Sequence, residues 1–181
     1  MIQASTDIKK KERQFLPEDF EVTTWGKLEP YLKDLAERSI TSKEVLEKWL
    51  EDVSEFEAVI SEDACWRQVR MTCDTENSGL REAFNYFYTD IQPHIQPYSD
   101  LINKKLVNCE YTKELDREKY FTYLRSVKKS IDLFREENIP LLSELNVMQQ
   151  QYGGIVGKMT VEVEGKEYTL QQASKFLESH D

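Results

Sequence analysis

The sequence predicts a mainly α fold, an elongated antiparallel bundle of long, coiled-coil-like helices with one small β-hairpin near the C-terminus. Three observations predict it. Between Thr41 and Asp74 an apolar stripe recurs at spacings of three and four with no Gly or Pro to interrupt it. Two further stripes of comparable length follow it, so the first has partners long enough to cover it. Met159 to Glu164 then alternates apolar and polar with period two, which is the pattern of a strand rather than a helix.

Composition fits one ordered domain. The 181 residues carry eight Phe, nine Tyr and three Trp, which argues against a disordered acidic chain. The formal charge of −10 is spread along the chain with Lys interspersed. Such a surface disfavours nucleic acid, whose phosphates require a positive footprint. The one basic cluster, Lys9, Lys10, Lys11 and Arg13, lies in a polar terminal segment and reads as a solvated tail. Cys65, Cys73 and Cys109 are odd in number and form no C-x-x-C pair. They point to reduced thiols and a cytoplasmic protein. No signal-peptide core or transmembrane run is present, so no membrane partner is expected.

Residues 1–15 show no periodicity and read as a flexible tail, with ordered chain over 16–181. Phe15-Leu16-Pro17 begins that order, Leu16 being biased toward an extended shape by the proline after it. Thr24 can cap a short helix carrying Leu28, Tyr31, Leu32 and Leu35, although Pro30 makes its start ambiguous. The first rod spans about 42–74, with Thr41 and Glu44 as a capping box and Val45, Leu46, Trp49, Leu50, Val53, Phe56, Val59 and Ile60 as its stripe. Roughly 33 residues at about 1.5 Å each give a rod near ~50 Å.

Polar residues Thr75 to Gly79 turn the chain. The second rod covers about 79–109 on Leu80, Phe84, Phe87, Ile91, Ile95, Tyr98, Leu101 or Ile102, and Leu106. Pro93 and Pro97 sit inside it, and because the stripe stays in phase across both, one kinked helix is favoured over two. Asp116 caps a third rod over about 116–152, with Phe121, Leu124, Val127, Ile131, Phe134, Leu141, Leu145, Met148 and Tyr152 repeating close to every 3.5 residues. Asn138 and Pro140 mark a kink in it, and Gly153-Gly154 its end. A hairpin over 159–170 turns at Gly165-Lys166, and Thr169 with Gln172 form a second capping box opening a helix over 170–181. A helix begun so close to Asp181 suggests the front part of something longer.

Chemistry-bearing patterns are sparse. His94 lies between the two prolines and His180 is penultimate, and no histidine or cysteine spacing resembles a metal site. Glu136 and Glu137 are adjacent and cannot share a helix face, which leaves a self-contained carboxylate metal centre little support. No serine or cysteine has an evident base, and Gly153, Gly154 and Gly157 lack the lysine of a phosphate loop. The end of the first rod allows two readings. Cys65, Trp66 and Val69 can be core, or this end can wall a functional cavity carrying Asp63, Arg67, Arg70 and Asp74. Asp63 and Arg67 are four apart, the spacing of a helical ion pair.

An ordered set of segments resembles a known family. Leu16-Pro17-Glu18-Asp19-Phe20, the run from Ala64 to Thr75, Pro97-Tyr98-Ser99, Tyr120 to Arg125 and Phe134 to Pro140 are similar to the N-terminal part of oligoendopeptidase F-type proteins, members of the thimet/neurolysin-like M3 zinc metallopeptidases. The resemblance implies the front portion of a large, mostly helical, two-lobed peptidase whose channel admits short peptides. It implies a zinc helix with H-E-x-x-H and a downstream Glu in a C-terminal catalytic region outside this chain. Neither a catalytic residue nor a metal ligand is thereby placed here, and zinc belongs to the complete enzyme. Asp63, Arg67, Arg70, Asp74, Tyr123 and Tyr168 are then channel-wall or interface residues. The partners implied are the catalytic region, short peptides and, for the isolated chain, a second copy. A freestanding noncatalytic helical interaction module is the alternative.

Overall fold

The computed structural model describes residues 12–178. The basic run Lys9 to Lys11 and His180 lie outside the described residues. Helix α1 covers Trp25–Glu37, α2 Lys43–Cys73, α3 Ser78–Tyr86, α4 Gln92–Asn108, α5 Arg117–Leu133, α6 Asn138–Gly157 and α7 Leu170–Ala173. Strands β1 (Thr160–Val163) and β2 (Lys166–Thr169) pair antiparallel, with Val161 opposite Tyr168. The fold is mainly helical with a small hairpin near the C-terminus.

The 31 residues of α2 make a rod of about 46 Å. Its cap is Ser42 rather than Thr41: the Ser42 hydroxyl accepts from the Val45 amide at 3.3 Å and donates to Glu44. One residue of displacement brings a hydroxyl onto the third amide of the helix, which Thr41 cannot reach. The α2 stripe is buried from Leu46 to Val59, where it meets Leu28, Leu32 and Leu35 of α1 and the Phe87, Ile91, Ile102 and Leu106 layer. Trp49 is fully buried and donates its indole N–H to the Leu35 carbonyl at 2.9 Å. Beyond Ile60, Met71 is the one buried residue of α2. Trp66, Val69, Cys65 and Cys73 are exposed, which overturns the core reading of that end.

Helices α3 and α4 are continuous through a π-helical turn at Phe87–Ile91. The Gln92 amide reaches back to the Phe87 carbonyl, a five-residue step. This widened turn precedes Pro93 and makes room for its ring, which would otherwise meet the carbonyl four residues back. His94 stacks on Trp25 with ring centroids 5.0 Å apart.

The third rod does not form as one piece. It breaks at Phe134–Glu137 into α5 and α6, with Phe134 extended at ψ 131°. Pro140 falls in the first turn of α6, where an absent amide costs nothing, so the chain restarts a helix instead of kinking through one. Asp116 caps α5 through the Glu118 and Lys119 amides. Gly153 and Gly154 do not end α6, which runs on to Gly157. The stripe expected to pack against the other rods also departs from expectation. Phe121, Leu141, Leu145, Met148 and Tyr152 are exposed, and only Ile139 and Gln150 are buried in α6.

The hairpin turn falls at Glu164-Gly165, one residue earlier than expected, with φ of 53° and 75°. Two consecutive positive φ values make the turn whose twist matches the flanking strands, and it fixes Val163 opposite Lys166. Thr169 and Gln172 do form the reciprocal capping box.

The segment before α1 is tied to the bundle through its backbone. Glu55 on α2 accepts the amides of Gln14, Phe15 and Leu16 at 2.8, 3.0 and 2.8 Å. Arg13 donates to the carbonyls of Pro17, Glu18 and Phe20, folding the segment on itself. Leu16 is then buried in the core.

Candidate functional site

Two concave regions flank α2. The first, about 460 Å³, runs along its outer side toward the start of α5. Leu50, Ala58 and Val59 form its floor, and Lys48, Glu62 and Lys119 are charged groups on its walls. Glu55 also lines it and holds the N-terminal segment as one wall. Burial pushes the Glu55 carboxyl up, but three amide donors outweigh it and hold the group below the ordinary carboxylate range.

The second region, about 480 Å³, lies where the last turns of α2, helix α3 and the C-terminal half of α6 converge. Met71, Phe84 and Val156 supply apolar surface there, and Gln68, Asn146, Gln149, Gln150 and Gln171 supply carboxamides. Gly157 faces the turn after α2, where a Cβ would make an ordinary van der Waals contact with the Thr75 methyl at 3.7 Å.

The residues singled out in the sequence are distributed over several environments. Arg67 is a structural tie. Its Nε meets Asp63 Oδ2 at 2.5 Å, one terminal nitrogen donates to the Ala83 carbonyl at 2.9 Å, and the other donates to the Val22 carbonyl at 2.7 Å. The guanidinium also lies over the Phe87 ring. One side chain thereby joins α2, α3 and the segment before α1. Arg70 lies over the exposed Trp66 ring, and Asp74 terminates α2 with its amide on the Arg70 carbonyl. Tyr123 on α5 is half-buried. Desolvation, with the Glu57 charge beside it, pushes its phenol up to about 12. Glu57 reaches the surface, yet surrounding protein desolvates its carboxyl and raises it too. Tyr168 on β2 contacts Phe176 edge-on, with Lys175 over its ring.

Sequence reasoning missed three groups. Glu55 reads as an ordinary surface carboxylate on a helix until the segment it captures is placed. Lys105 donates to the carbonyls of Leu35, Ala36 and Arg38 and closes the end of α1. Desolvation, with Arg38 nearby, lowers its pKa. Arg38 in turn donates to the buried Asp52 at 2.5 Å, which Lys48 also meets at 2.7 Å. Gln150 is the third, and the available signal was the run Gln149-Gln150-Gln151 in a helix whose sole charged residue is Glu144.

Among the described residues no group of three or more His, Cys, Asp or Glu is arranged to hold a metal. No helix among them is long and apolar enough to cross a membrane. Long helices, joined by ion pairs and by side chains that donate to backbone carbonyls, define a mainly helical domain.

Residues 15–134, about two thirds of the chain, match the model of the Peptidase M3 N-terminal domain. The chain belongs to that family. No curated protein and no solved structure matches it.

Proposed function

We propose that this chain is the scaffold and substrate-channel portion of a zinc-dependent oligopeptidase that cleaves short peptides, inactive by itself. The match over residues 15–134 to the Peptidase M3 N-terminal domain carries the proposal. Zinc and the hydrolytic groups belong to a C-terminal catalytic region of the complete enzyme, which we place in the cytoplasm. Asp63, Arg67, Arg70, Asp74, Tyr123 and Tyr168 are assigned to channel wall or interface, Arg67 and Asp63 by holding the wall's shape rather than by touching peptide. The exposed edges of the β1–β2 hairpin offer backbone groups to an extended peptide.

The apolar side of α6 supports a covering partner. Leu141, Leu145, Met148, Tyr152 and Ile155 are exposed on a helix with a single charged residue. Contiguous exposed apolar surface of this kind marks an interface. In the complete enzyme we assign that face to the catalytic region, and in the isolated chain to weak self-association.

The natural reading frame beyond the codon for Asp181 tests this directly. A continuing frame that encodes H-E-x-x-H is expected. A stop codon there would overturn the peptidase assignment and favour a freestanding interaction module, for which the same uncovered α6 face is the supporting observation.

A further inference from the structure

The cavity under α6 carries a polar side chain that the fold itself does not use. Gln150 is only 7% exposed and lines this cavity. Its carboxamide makes no hydrogen bond with any described residue. It is not among the polar atoms sealed from water without a partner, which are Asn85 Oδ1 and Asp100 Oδ1 among the described residues, so its two donors and its acceptor are open to the cavity. Gln150 thus presents uncommitted hydrogen-bonding groups to whatever fills the cavity.

The surroundings restrict what that partner can be. The cavity lining contains no charged side chain, in a chain where 32% of residues are charged. A charged ligand would lose its hydration there and meet no counter-charge. Gln149, Gln68 and Asn146 add further carboxamides, while Met71 and Phe84 add apolar surface. Some of this polarity is already committed. Asn146 donates to the Leu142 carbonyl at 2.8 Å, and Thr72 donates to the Gln68 and Val69 carbonyls. Gln150 is not committed. A volume of about 480 Å³ suits a small ligand of one or two residues.

We propose that this cavity binds a neutral peptide unit, with Gln150 as the residue that recognises it. The Gln150 Nε2–H donates to the carbonyl and Oε1 accepts the N–H of one extended ligand residue, whose two groups point to the same side across successive trans peptide units, a two-point pairing that neither a carboxylate nor an ammonium can complete. The flanking apolar surface takes an uncharged side chain. The choice of peptide over other amides rests on the peptidase reading above, and the site deepens that reading by naming where backbone is held.

The test is a two-dimensional amide NMR titration of the 181-residue chain with N-acetylalanine N-methylamide, using acetate as the charged comparator. Saturable shifts of the Gln150 side-chain amide pair and of the backbone at 149–154 and 71–75 are expected, with acetate moving none of them. Gln150→Leu and Gln150→Glu should each weaken the response at least tenfold. The wild-type side-chain signal decides the matter alone if either variant fails to fold. Absence of saturable shifts at these positions, or equal saturation by acetate or by Gln150→Leu, overturns the site. A second titration with an unstructured five-residue peptide separates this claim from the channel reading. Peptide shifts confined to other surfaces, with the small amide silent, sink the site and leave the channel. Saturation by the small amide with no peptide response anywhere keeps the site and sinks the channel.

Discussion

Arg67→Met tests the tie between α2, α3 and the segment before α1. Methionine keeps most of the side-chain length and the contact with Phe87 but removes every donor. The Val22 and Ala83 carbonyls each lose a charge-assisted hydrogen bond, worth about 1.5–3 kcal/mol net apiece. The Asp63 pair is lost as well, with side chains 15% and 27% exposed, which is partly but not fully screened. Asp63 retains enough exposure to rehydrate, and the methionine avoids the desolvation of a guanidinium. These offsets bring the expected loss to about 3 kcal/mol rather than the sum. For a chain of this size that is a fall in Tm of about 6–12 °C. Urea unfolding followed by helical circular dichroism gives the free energy, with an unchanged slope confirming a native-like variant. Arg70→Met is the internal control, since Arg70 is exposed over Trp66 and should cost under about 0.5 kcal/mol. A loss below about 1 kcal/mol for Arg67→Met, or equal losses for the two variants, would refute the tie.

Glu55→Gln keeps one acceptor oxygen for the Phe15 and Leu16 amides but loses the charge and the acceptor for Gln14, and should loosen the N-terminal segment at a cost of about 1–2 kcal/mol at neutral pH. Because the folded carboxyl sits below its unfolded value, its contribution is full above about pH 4.3 and is lost as pH falls through the folded pKa. Urea midpoints measured down that range should fall more steeply for wild type than for the variant. Tyr123→Phe should remove the phenol that ionises near 12, seen as a missing high-pH step in ultraviolet absorbance. Glu57→Gln should move that step lower without removing it, because desolvation remains. Leu145→Glu with Met148→Glu should leave stability within about 0.5 kcal/mol, since both side chains are exposed, and should abolish any self-association seen by sedimentation. A clean wild-type monomer at high concentration would contradict the interface role of α6.

Helical periodicity made most elements legible, and local chemistry placed many of their ends. The α2 stripe from Leu46 to Val59 and the Asp116 cap follow from spacing and side-chain type alone. The third rod misled because apolar periodicity reports a face, not what covers it. Leu141, Leu145 and Met148 keep phase with α5, yet Phe134 leaves the helix and carries them onto an uncovered side. The π-helical turn was invisible because Pro93 announces strain without saying which geometry relieves it. Site residues were least legible. Asp63 and Arg67 were found by their spacing of four, but their role depends on Val22 and Ala83, which are distant in sequence and offer only backbone carbonyls. Gln150 carries no motif at all, and only its burial beside an uncharged cavity distinguishes it from Gln149 and Gln151.

Cleavage of a quenched-fluorescent short peptide by the purified chain, with and without added zinc, addresses the central claim most directly. The account predicts a rate equal to the protein-free blank under both conditions. Peptide turnover that follows the chain through purification and disappears on unfolding or on chelation would contradict it, because a reaction centre would then reside within these residues.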